Sequence, residues 1–356
     1  MSSMHGWQMT APGQLTAFER PITPPGAGKV VVEVHGCGVC HTDVSFLYGG
    51  VPTRHPLPLT LGHEVSGVVV QAGPGAEAWL GRRVIVPAVS PCGACAFCTR
   101  GKPTACRASK MPGNDIDGGF ASHLEVDAWS LCKIDAHAPS DPVGEVGLAL
   151  WELSVIADAV STPLQAIVRC GLEANDFAVV IGAGGVGSFA VQLARARGAV
   201  VAAIDVNTAA LDRARGLGAR FTADAREPAK ALKKALAAAA KEHGARAEAW
   251  RIFETSGSTA GQELAWSLLN PGATLSVVGF TPEPVSVRLS NLMAFDASAF
   301  GNWGCDPALY PEALALVSRG AVRIRGLVRS EKLADAPRVL EAVHHHQYSE
   351  RVVFVP

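Results

Sequence analysis

The sequence has no long apolar run and no excess of charge of either sign. No stretch approaches the roughly 20 consecutive apolar residues that a membrane-spanning helix needs. Lys and Arg total 31 and Asp and Glu total 32 among 356 residues, so no global field favours nucleic acid or an anionic membrane. Aromatic residues are scarce at 6%, whereas glycine is abundant at 37 residues, a balance typical of a folded α/β enzyme.

The first ten residues also lack the basic start and apolar stretch of a secretory signal, so we expect a cytoplasmic protein. Nine cysteines then need a role other than disulfides, because the cytosol keeps thiols reduced. A chain of this length is too long for one small core, and two domains are the natural expectation.

The N-terminal part of the chain is predicted to be rich in β-strands. Apolar, β-branched runs at 30–34, 65–71 and 83–86 are separated by glycine and proline, as in a small, partly open barrel. From about residue 163 the pattern changes to strands buried on both faces that alternate with amphipathic helices, which favours a parallel doubly wound sheet. The predicted elements are strands at 177–181, 199–204, 252–253, 275–278 and 352–355, a helix that follows the 182–187 turn and ends at residue 197, and a helix at 230–243.

These patterns predict an α/β protein in which a Rossmann domain is inserted into a β-rich catalytic domain. We place the Rossmann domain at residues 161–299 and the catalytic domain at 1–160 and 300–356. The sequence shows neither an internal repeat nor a low-complexity linker.

A glycine-rich turn lies between the first buried strand and its helix. Its G-x-G-x-x-G spacing provides a tight turn, a close backbone approach to a pyrophosphate and close helix–strand packing. Asp205 follows 18 residues after Gly187, at the end of the next strand, where an acid binds the adenine ribose hydroxyls and favours NAD over NADP. The predicted phosphate-binding residues are Gly182, Gly184, Gly185, Val186 and Gly187.

Four cysteines with C-x2-C-x2-C-x7-C spacing form a second motif. Short loops between them can place four thiolates around one tetrahedral Zn²⁺, and such a filled site is structural. An iron–sulfur cluster is the competing interpretation. The cysteines are Cys92, Cys95, Cys98 and Cys106.

A third constellation contains Cys40-His41-Thr42-Asp43 and Gly62-His63-Glu64. A catalytic zinc needs three protein ligands and an open position, and Cys40 and His63 supply one sulfur and one nitrogen. Asp43 and Glu64 are placed to orient the ligands and tune their charge. The Thr42 hydroxyl is suited to relaying a proton.

The order of these motifs resembles the zinc-dependent medium-chain alcohol dehydrogenases over essentially the whole chain. That resemblance implies a GroES-like catalytic domain joined to the Rossmann domain. It also implies a third zinc ligand just before the cofactor domain, usually Cys, where this sequence has Asp158. A lone carboxylate in an apolar run is costly to bury unless it is paired or bound to metal, so we predict Asp158 as the ligand, with Glu152 as the alternative.

The resemblance further implies oxidation of an alcohol by hydride transfer to NAD, with one catalytic and one structural Zn²⁺ and with Thr42 taking the hydroxyl proton. Many relatives continue the proton path through a His where this chain has Ser45, which leaves the onward route open. Val278 and Asn302 are expected to hold the nicotinamide carboxamide by analogy. The partner expected is a second copy, in a homodimer or homotetramer.

Several stretches resemble a branch of the family that oxidises a cyclic alcohol carried as an acyl-CoA thioester. Arg54, Arg107 and Lys110 are candidates for the CoA phosphates, although ordinary solvated charge explains them equally well. The alternative is a dehydrogenase of simple or cyclic secondary alcohols without CoA; a zinc-independent enoyl reductase and a non-enzymatic redox sensor are the other classes considered. The stretches are 110–115, 157–160, 253–258, 289–295, 301–305 and 344–346.

Overall fold

The computed structural model describes residues 3–134 and 141–356 of the chain. None of the helices in these ranges combines the length and apolarity that a bilayer crossing requires. The strands are β1 (Ser3–Ala11), β2 (Gln14–Pro21), β3 (Lys29–Gly38), β4 (Glu64–Ala72), β5 (Arg83–Val86), β6 (His123–Asp127), β7 (Cys132–Ile134), β8 (Phe177–Ile181), β9 (Val200–Asp205), β10 (Phe221–Asp224), β11 (Arg251–Glu254), β12 (Thr274–Val277), β13 (Ser298–Gly301), β14 (Val328–Lys332) and β15 (Arg351–Val355).

Ten α-helices and six short 3₁₀ helices accompany these strands within the described ranges. The α-helices are α1 (His41–Leu47), α2 (Ala96–Thr99), α3 (Ser161–Arg169), α4 (Gly185–Ala196), α5 (Thr208–Leu217), α6 (Ala229–Glu242), α7 (Thr259–Ser267), α8 (Ser290–Phe295), α9 (Tyr310–Ser318) and α10 (Ala336–His344). The 3₁₀ helices are Glu77–Trp79, Pro103–Ala105, Ala128–Ser130, Leu150–Ala157, Pro307–Leu309 and Leu333–Asp335.

The chain forms two compact units. One contains the residues up to Ser161 together with Gly304–Pro356, and the other is Thr162–Trp303. The boundaries predicted from the sequence are 160/161 and 299/300. The second unit is therefore a continuous segment, whereas the first is assembled from both ends of the chain.

The first unit is built on a seven-stranded sheet in the order β14-β15-β3-β4-β5-β7, with β6 also paired to β3. Strands β3 and β4 are rich in valine, whose branched side chains pack well on a pleated surface, and both are largely buried. Phe120 and Phe354 meet edge to face in this core, with ring centroids 5.0 Å apart. A separate hairpin of β1 and β2 opens the chain.

The second unit is a six-stranded parallel sheet in the order β10-β9-β8-β11-β12-β13. This is the doubly wound arrangement in which the chain reverses direction beside its first strand, β8. All five residues of β8 are buried, as expected for a strand covered on both faces. The switch point places the carboxyl ends of β8 and β11 side by side, where such sheets bind ligands.

The predicted fold class, an α/β protein with a β-rich domain and a Rossmann sheet, is confirmed by these topologies. The predicted strands and helices match observed elements to within a few residues; strand β3 extends beyond the predicted residue 34 to Gly38, and strand β4 begins at Glu64, one residue earlier than predicted. These extensions matter because they bring the strand ends to the metal-ligand candidates. The β1–β2 hairpin was not predicted.

Candidate active site and metal centres

Three ligand candidates come together from three separate segments of the first unit. Cys40 lies at the N-terminus of α1, His63 directly precedes β4, and Asp158 follows the last residue of the 3₁₀ helix Leu150–Ala157. Asp158 Oδ2 lies 3.7 Å from Cys40 Sγ and 3.6 Å from His63 Nε2. Together with Glu64, their ligand atoms all lie within 4.8 Å of one another.

These distances fit a single bound metal ion. Ligands at about 2.0–2.3 Å from a tetrahedral Zn²⁺ lie roughly 3.3–3.8 Å from each other. A thiolate, an imidazole and a carboxylate are all donors that zinc accepts. Two of the three are anionic, so they neutralise the formal charge of Zn²⁺.

Asp43 holds residues of this cluster in place through hydrogen bonds. Its carboxylate is fully buried and accepts hydrogen bonds from the backbone N–H of Cys40 at 2.9 Å and of Gly62 at 3.1 Å. It also lies 3.2 Å from His63 Nδ1. Because Nδ1 is held by this carboxylate, Nε2 is the nitrogen presented to Cys40 and Asp158.

The electrostatic surroundings of His63 attract positive charge. Burial alone would lower the pKa of its imidazole, but the carboxylates of Asp43 and Asp158 and the Cys40 sulfur raise that pKa well above its usual value of 6.5. The same negatively charged groups would also stabilise a bound cation. The arrangement therefore favours a metal ion at this position.

Glu64 belongs to the cluster but has a second partner. Arg351, the first residue of β15, binds both of its carboxylate oxygens, with Nε 2.7 Å from Oε2. Both side chains are buried, and burial raises the pKa of Glu64 to about 7 although Arg351 opposes that shift. Arg351 was not predicted from the sequence, where only its position before an apolar strand distinguishes it.

The proton-relay candidates are placed differently. The Thr42 hydroxyl lies 3.7 Å from Cys40 Sγ, beside the cluster. The Ser45 hydroxyl instead donates to the backbone oxygen of His41 at 2.9 Å. Thr42 is thus available at the metal site, whereas Ser45 is turned back onto its own helix.

Glu152, the alternative third ligand, is absent from the cluster. Its carboxylate accepts a hydrogen bond from the backbone N–H of Ala149 at 2.8 Å and is paired with Arg325, whose Nε lies 3.1 Å away. Its position therefore supports the assignment of the ligand role to Asp158.

The four cysteines of the second motif also converge. Sγ–Sγ distances are 3.5 Å for Cys95 and Cys98, 3.7 Å for Cys95 and Cys106, and 3.9 Å for Cys92 and Cys98. Four thiolates at about 2.3 Å from one Zn²⁺ lie nearly 3.8 Å apart, so the group fits a tetrahedral ion. No ligand position is left open, which matches a structural role.

In the second unit the glycine-rich turn has the geometry expected of a dinucleotide cradle. Gly182 adopts a φ of +87°, and Gly184 precedes the first turn of α4. A Cβ on Gly187 would lie 1.8 Å from the backbone oxygen of Gly182, so only glycine fits there. The Asp205 carboxylate accepts hydrogen bonds from the N–H of Ala183 at 2.6 Å and of Asn207 at 2.8 Å, which fixes the acid beside this turn.

The segment after β11 packs beside the glycine turn. Thr255 donates its hydroxyl to the backbone oxygens of Ile181 at 2.9 Å and Gly182 at 2.7 Å. Fully buried Glu254 holds the following Ser256 through its N–H at 2.7 Å and its hydroxyl at 2.6 Å. Nothing in the sequence indicated the Thr255 contacts, because they cross to the end of β8, more than 70 residues earlier in the chain.

The two remaining cofactor candidates lie next to strand ends of the same sheet. Val278 directly follows β12, and its N–H donates to the backbone oxygen of Glu254 at 2.8 Å. The Asn302 N–H donates to the oxygen of Val277 at 2.9 Å. The Asn302 side chain donates to the Thr162 oxygen at 3.0 Å.

Comparisons with known proteins agree with the metal and dinucleotide sites described above. Residues 26–136 match the family model described as alcohol dehydrogenase GroES-like domain, and residues 185–319 match zinc-binding dehydrogenase. An alcohol dehydrogenase of Rhizobium meliloti is 31% identical over 344 residues, covering 95% of this chain and 94% of that protein. One from Geobacillus stearothermophilus is 29% identical and covers 97% of each chain. The structure of acetophenone reductase from Geotrichum candidum in complex with NAD has a TM-score of 0.83 at 25% identity, covering 99% of this chain and 97% of that one.

The chain belongs to the zinc-dependent medium-chain alcohol dehydrogenase family. It is an oxidoreductase whose residues fit two zinc ions and an NAD-type dinucleotide.

Proposed function

We propose that this protein oxidises a secondary alcohol to a ketone with NAD⁺ as the hydride acceptor. The observation that carries the proposal is the convergence of Cys40, His63 and Asp158 within bonding range of one zinc ion, with the Thr42 hydroxyl beside them. The alcohol dehydrogenase relatives, together with a sorbitol dehydrogenase from Halalkalibacterium halodurans at 27% identity, support alcohols as the substrate class.

Each residue then has a defined task. Cys40, His63 and Asp158 hold the catalytic zinc, and Asp43 sets the orientation of His63. When bound, zinc acts as a Lewis acid that lowers the pKa of the substrate hydroxyl. Thr42 relays the proton that the substrate hydroxyl releases: its hydroxyl accepts that proton while donating its own onward to water.

The second unit binds the dinucleotide that receives the hydride. The N–H groups at the start of α4 face the pyrophosphate, and Asp205 accepts hydrogen bonds from the adenine ribose. A carboxylate there repels a 2′-phosphate, so NAD⁺ is preferred to NADP⁺. Val278 and Asn302 bind the nicotinamide carboxamide.

A kinetic comparison of two hydroxyl variants tests this function. We expect the purified zinc protein to reduce NAD⁺ with cyclic secondary alcohols, followed by NADH absorbance. Thr42→Val should lower kcat by about 10²–10⁴-fold, the usual contribution of a positioned proton acceptor. Ser45→Ala should stay near wild type because its hydroxyl is bound to the backbone. Equal activity of Thr42→Val and wild type contradicts the proposal.

We further propose a cyclic acyl-CoA thioester as the specific substrate. The stretches 110–115, 157–160, 253–258, 289–295, 301–305 and 344–346 resemble 6-hydroxycyclohex-1-ene-1-carbonyl-CoA dehydrogenase. That enzyme forms 6-oxocyclohex-1-ene-1-carbonyl-CoA in the anaerobic benzoyl-CoA route of aromatic degradation. The relatives support alcohol oxidation in general, so the same alcohol without CoA is the alternative substrate.

The basic residues suggested for CoA differ in their surroundings. Arg54 lies 3.2 Å from the carboxylate of Asp115, and Lys110 lies 2.9 Å from that of Asp127, so both charges are already paired. Arg107 is exposed. Comparing kcat/KM for the cyclic hydroxyacyl-CoA and its free alcohol decides between the two substrates: a ratio above about 100 supports the thioester, and a ratio near one supports the alternative.

We also propose that the protein forms a homodimer or homotetramer through the second unit. Leu289, directly before α8, is 69% exposed, and Met293, within α8, is 78% exposed. Strand β13, which follows α8 along the chain, is the last strand of its sheet. An open strand edge next to exposed apolar side chains favours pairing with another copy. Sedimentation of the double variant Leu289→Asp, Met293→Asp should show a smaller species than wild type.

A further inference from the structure

A buried tyrosine from the C-terminal part of the first unit reaches the segment that carries Asp158. Tyr310 begins α9 and is fully buried. Its hydroxyl donates to the backbone oxygen of Ala157 at 2.6 Å and accepts from the N–H of Ala88 at 3.2 Å. Ala157 is the residue immediately before the third ligand candidate.

The carbonyl of Ala157 is held by three donors from different elements. Besides Tyr310, it accepts from the Ser161 hydroxyl at 3.0 Å and from the N–H of Ala88 at 3.3 Å. All of these residues are buried, so water cannot substitute freely for a lost donor. The peptide between residues 157 and 158 is therefore fixed from several sides.

The position of this peptide determines where the Asp158 carboxylate lies. Asp158 follows the 3₁₀ helix with φ −138° and ψ −60°, which is outside the helical region of backbone conformation. An aspartate side chain is short and reaches a metal from only a narrow range of Cα positions. Its second carboxylate oxygen also has to be kept from competing for the ion.

We propose that Tyr310 is a positioning residue for the catalytic metal site, which it serves by fixing the peptide that precedes Asp158. The inference rests on the proposed function only in that Asp158 is taken as a metal ligand. Tyr310 is not among the residues whose ligand atoms cluster at the site. Its effect is on how tightly and in what geometry the ion is held.

If Tyr310 had only a structural role, removing a comparable buried hydrogen bond elsewhere on the same 3₁₀ helix would affect the metal site equally. Ser66 provides this matched control. Ser66 is also fully buried, and its hydroxyl donates at 2.7 Å to the oxygen of Leu150. Leu150 is the first residue of the same 3₁₀ helix, at the end away from Asp158. Ser66→Ala therefore removes a comparable hydrogen bond without touching the 157–158 peptide.

The experiment compares Tyr310→Phe, Ser66→Ala and Asp158→Asn with wild type in the full-length zinc protein. Zinc affinity is measured by competition with a chelator, and the ligand geometry is read from visible spectra after Co²⁺ replacement. Co²⁺ at the four-cysteine site is common to all proteins and cancels in difference spectra. Far-ultraviolet circular dichroism and retention of metal at the four-cysteine site, which belongs to the first unit like the substituted residues, confirm that each variant is folded.

We expect Tyr310→Phe to weaken zinc binding at the catalytic site by about tenfold, the lower end of the usual effect of losing a residue that orients a ligand. We also expect its Co²⁺ bands to shift, while Ser66→Ala matches wild type in both respects. The inference is overturned if Tyr310→Phe binds zinc within about twofold of wild type with unchanged bands, or if Ser66→Ala has an equal effect.

One further variant, together with Asp158→Asn, separates the possible failures. If Tyr310→Phe does not fold, Ser161→Ala removes another donor from the same carbonyl and is judged by the same criteria. If Asp158→Asn loses zinc but Tyr310→Phe does not, only the positioning role fails. If Asp158→Asn keeps wild-type affinity and spectrum, Asp158 is not a ligand and the proposed metal site itself fails.

Discussion

Asp43 Oδ1 lies 3.2 Å from His63 Nδ1, with both side chains buried in the first unit. The same carboxylate also accepts the backbone N–H groups of Cys40 and Gly62. One acid thus positions Cys40 and His63, two of the three ligand candidates for the catalytic zinc. A carboxylate behind a metal-bound imidazole fixes the ring and increases its basicity.

Asp43→Asn should therefore weaken the catalytic metal site. The asparagine amide must point its NH₂ group at one of the three donors that Asp43 accepts, and the negative charge behind His63 is lost. We expect zinc affinity to fall by about 10–100-fold. Chelator competition measures this, with Asp212→Asn on the exposed face of α5 as the control. Unchanged affinity would show that Asp43 does not orient His63.

The buried pair of Glu64 and Arg351 should contribute strongly to stability when one partner is removed. Arg351→Met leaves a fully buried carboxylate without its guanidinium, and breaking such a pair typically costs about 3–5 kcal/mol. The double variant Glu64→Gln, Arg351→Met should lose much less, because no unpaired charge remains. Urea unfolding measures both, and the exposed pair of Arg215 and Asp212 gives the comparison, since Arg215→Met should cost less than about 1 kcal/mol. Equal losses for the single and double variants would argue against the pair.

Two glycine-to-alanine changes in helices should have different effects: one should weaken NAD⁺ binding, and the other should increase stability. Gly187→Ala places a methyl group 1.8 Å from the Gly182 oxygen and 2.8 Å from Thr255 Oγ1, so the cradle must open. We expect NAD⁺ binding, measured by calorimetry, to weaken at least about tenfold while both zinc ions are retained. Gly216→Ala, in α5 with no atom within 4 Å of the new methyl group, should stabilise the protein by about 0.5–1 kcal/mol. Tight NAD⁺ binding by Gly187→Ala would contradict the assigned cradle.

Replacing Asp205 should change cofactor preference. Asp205→Ser removes the charge that repels a 2′-phosphate, and it also removes the acceptor for the N–H groups of Ala183 and Asn207. The ratio of kcat/KM for NADP⁺ to that for NAD⁺ should therefore rise at least about tenfold, with part of the change coming from weaker NAD⁺ binding. Asp212→Ser should leave the ratio unchanged. If the NADP⁺-to-NAD⁺ ratio of kcat/KM is unchanged in Asp205→Ser, the adenine ribose does not bind at Asp205.

Features that depend on short-range spacing could be predicted from the sequence. The glycine turn at 182–187 and the four cysteines lie within single segments, so the spacing alone defines their geometry. Asp158 was predicted because a carboxylate within an apolar run needs a partner, and the family resemblance gave its position.

Features that depend on distant contacts could not be predicted in the same way. Arg351 pairs with Glu64 across 287 positions, and Tyr310 reaches Ala157 across 153. No local sequence pattern around either residue indicates which residue it contacts. The β1–β2 hairpin was missed for another reason: most of its residues are exposed or half-buried, so its strands lack a marked alternation of polar and apolar residues.

Anomalous diffraction at the zinc absorption edge locates the bound metal ions and identifies their ligands. In crystals of the zinc-loaded protein, we expect two peaks per chain, one among the four cysteine sulfurs and one bonded to Cys40 Sγ, His63 Nε2 and an oxygen of Asp158. A catalytic-site peak without Asp158 among its ligands, or no peak between Cys40 and His63, would contradict this expectation.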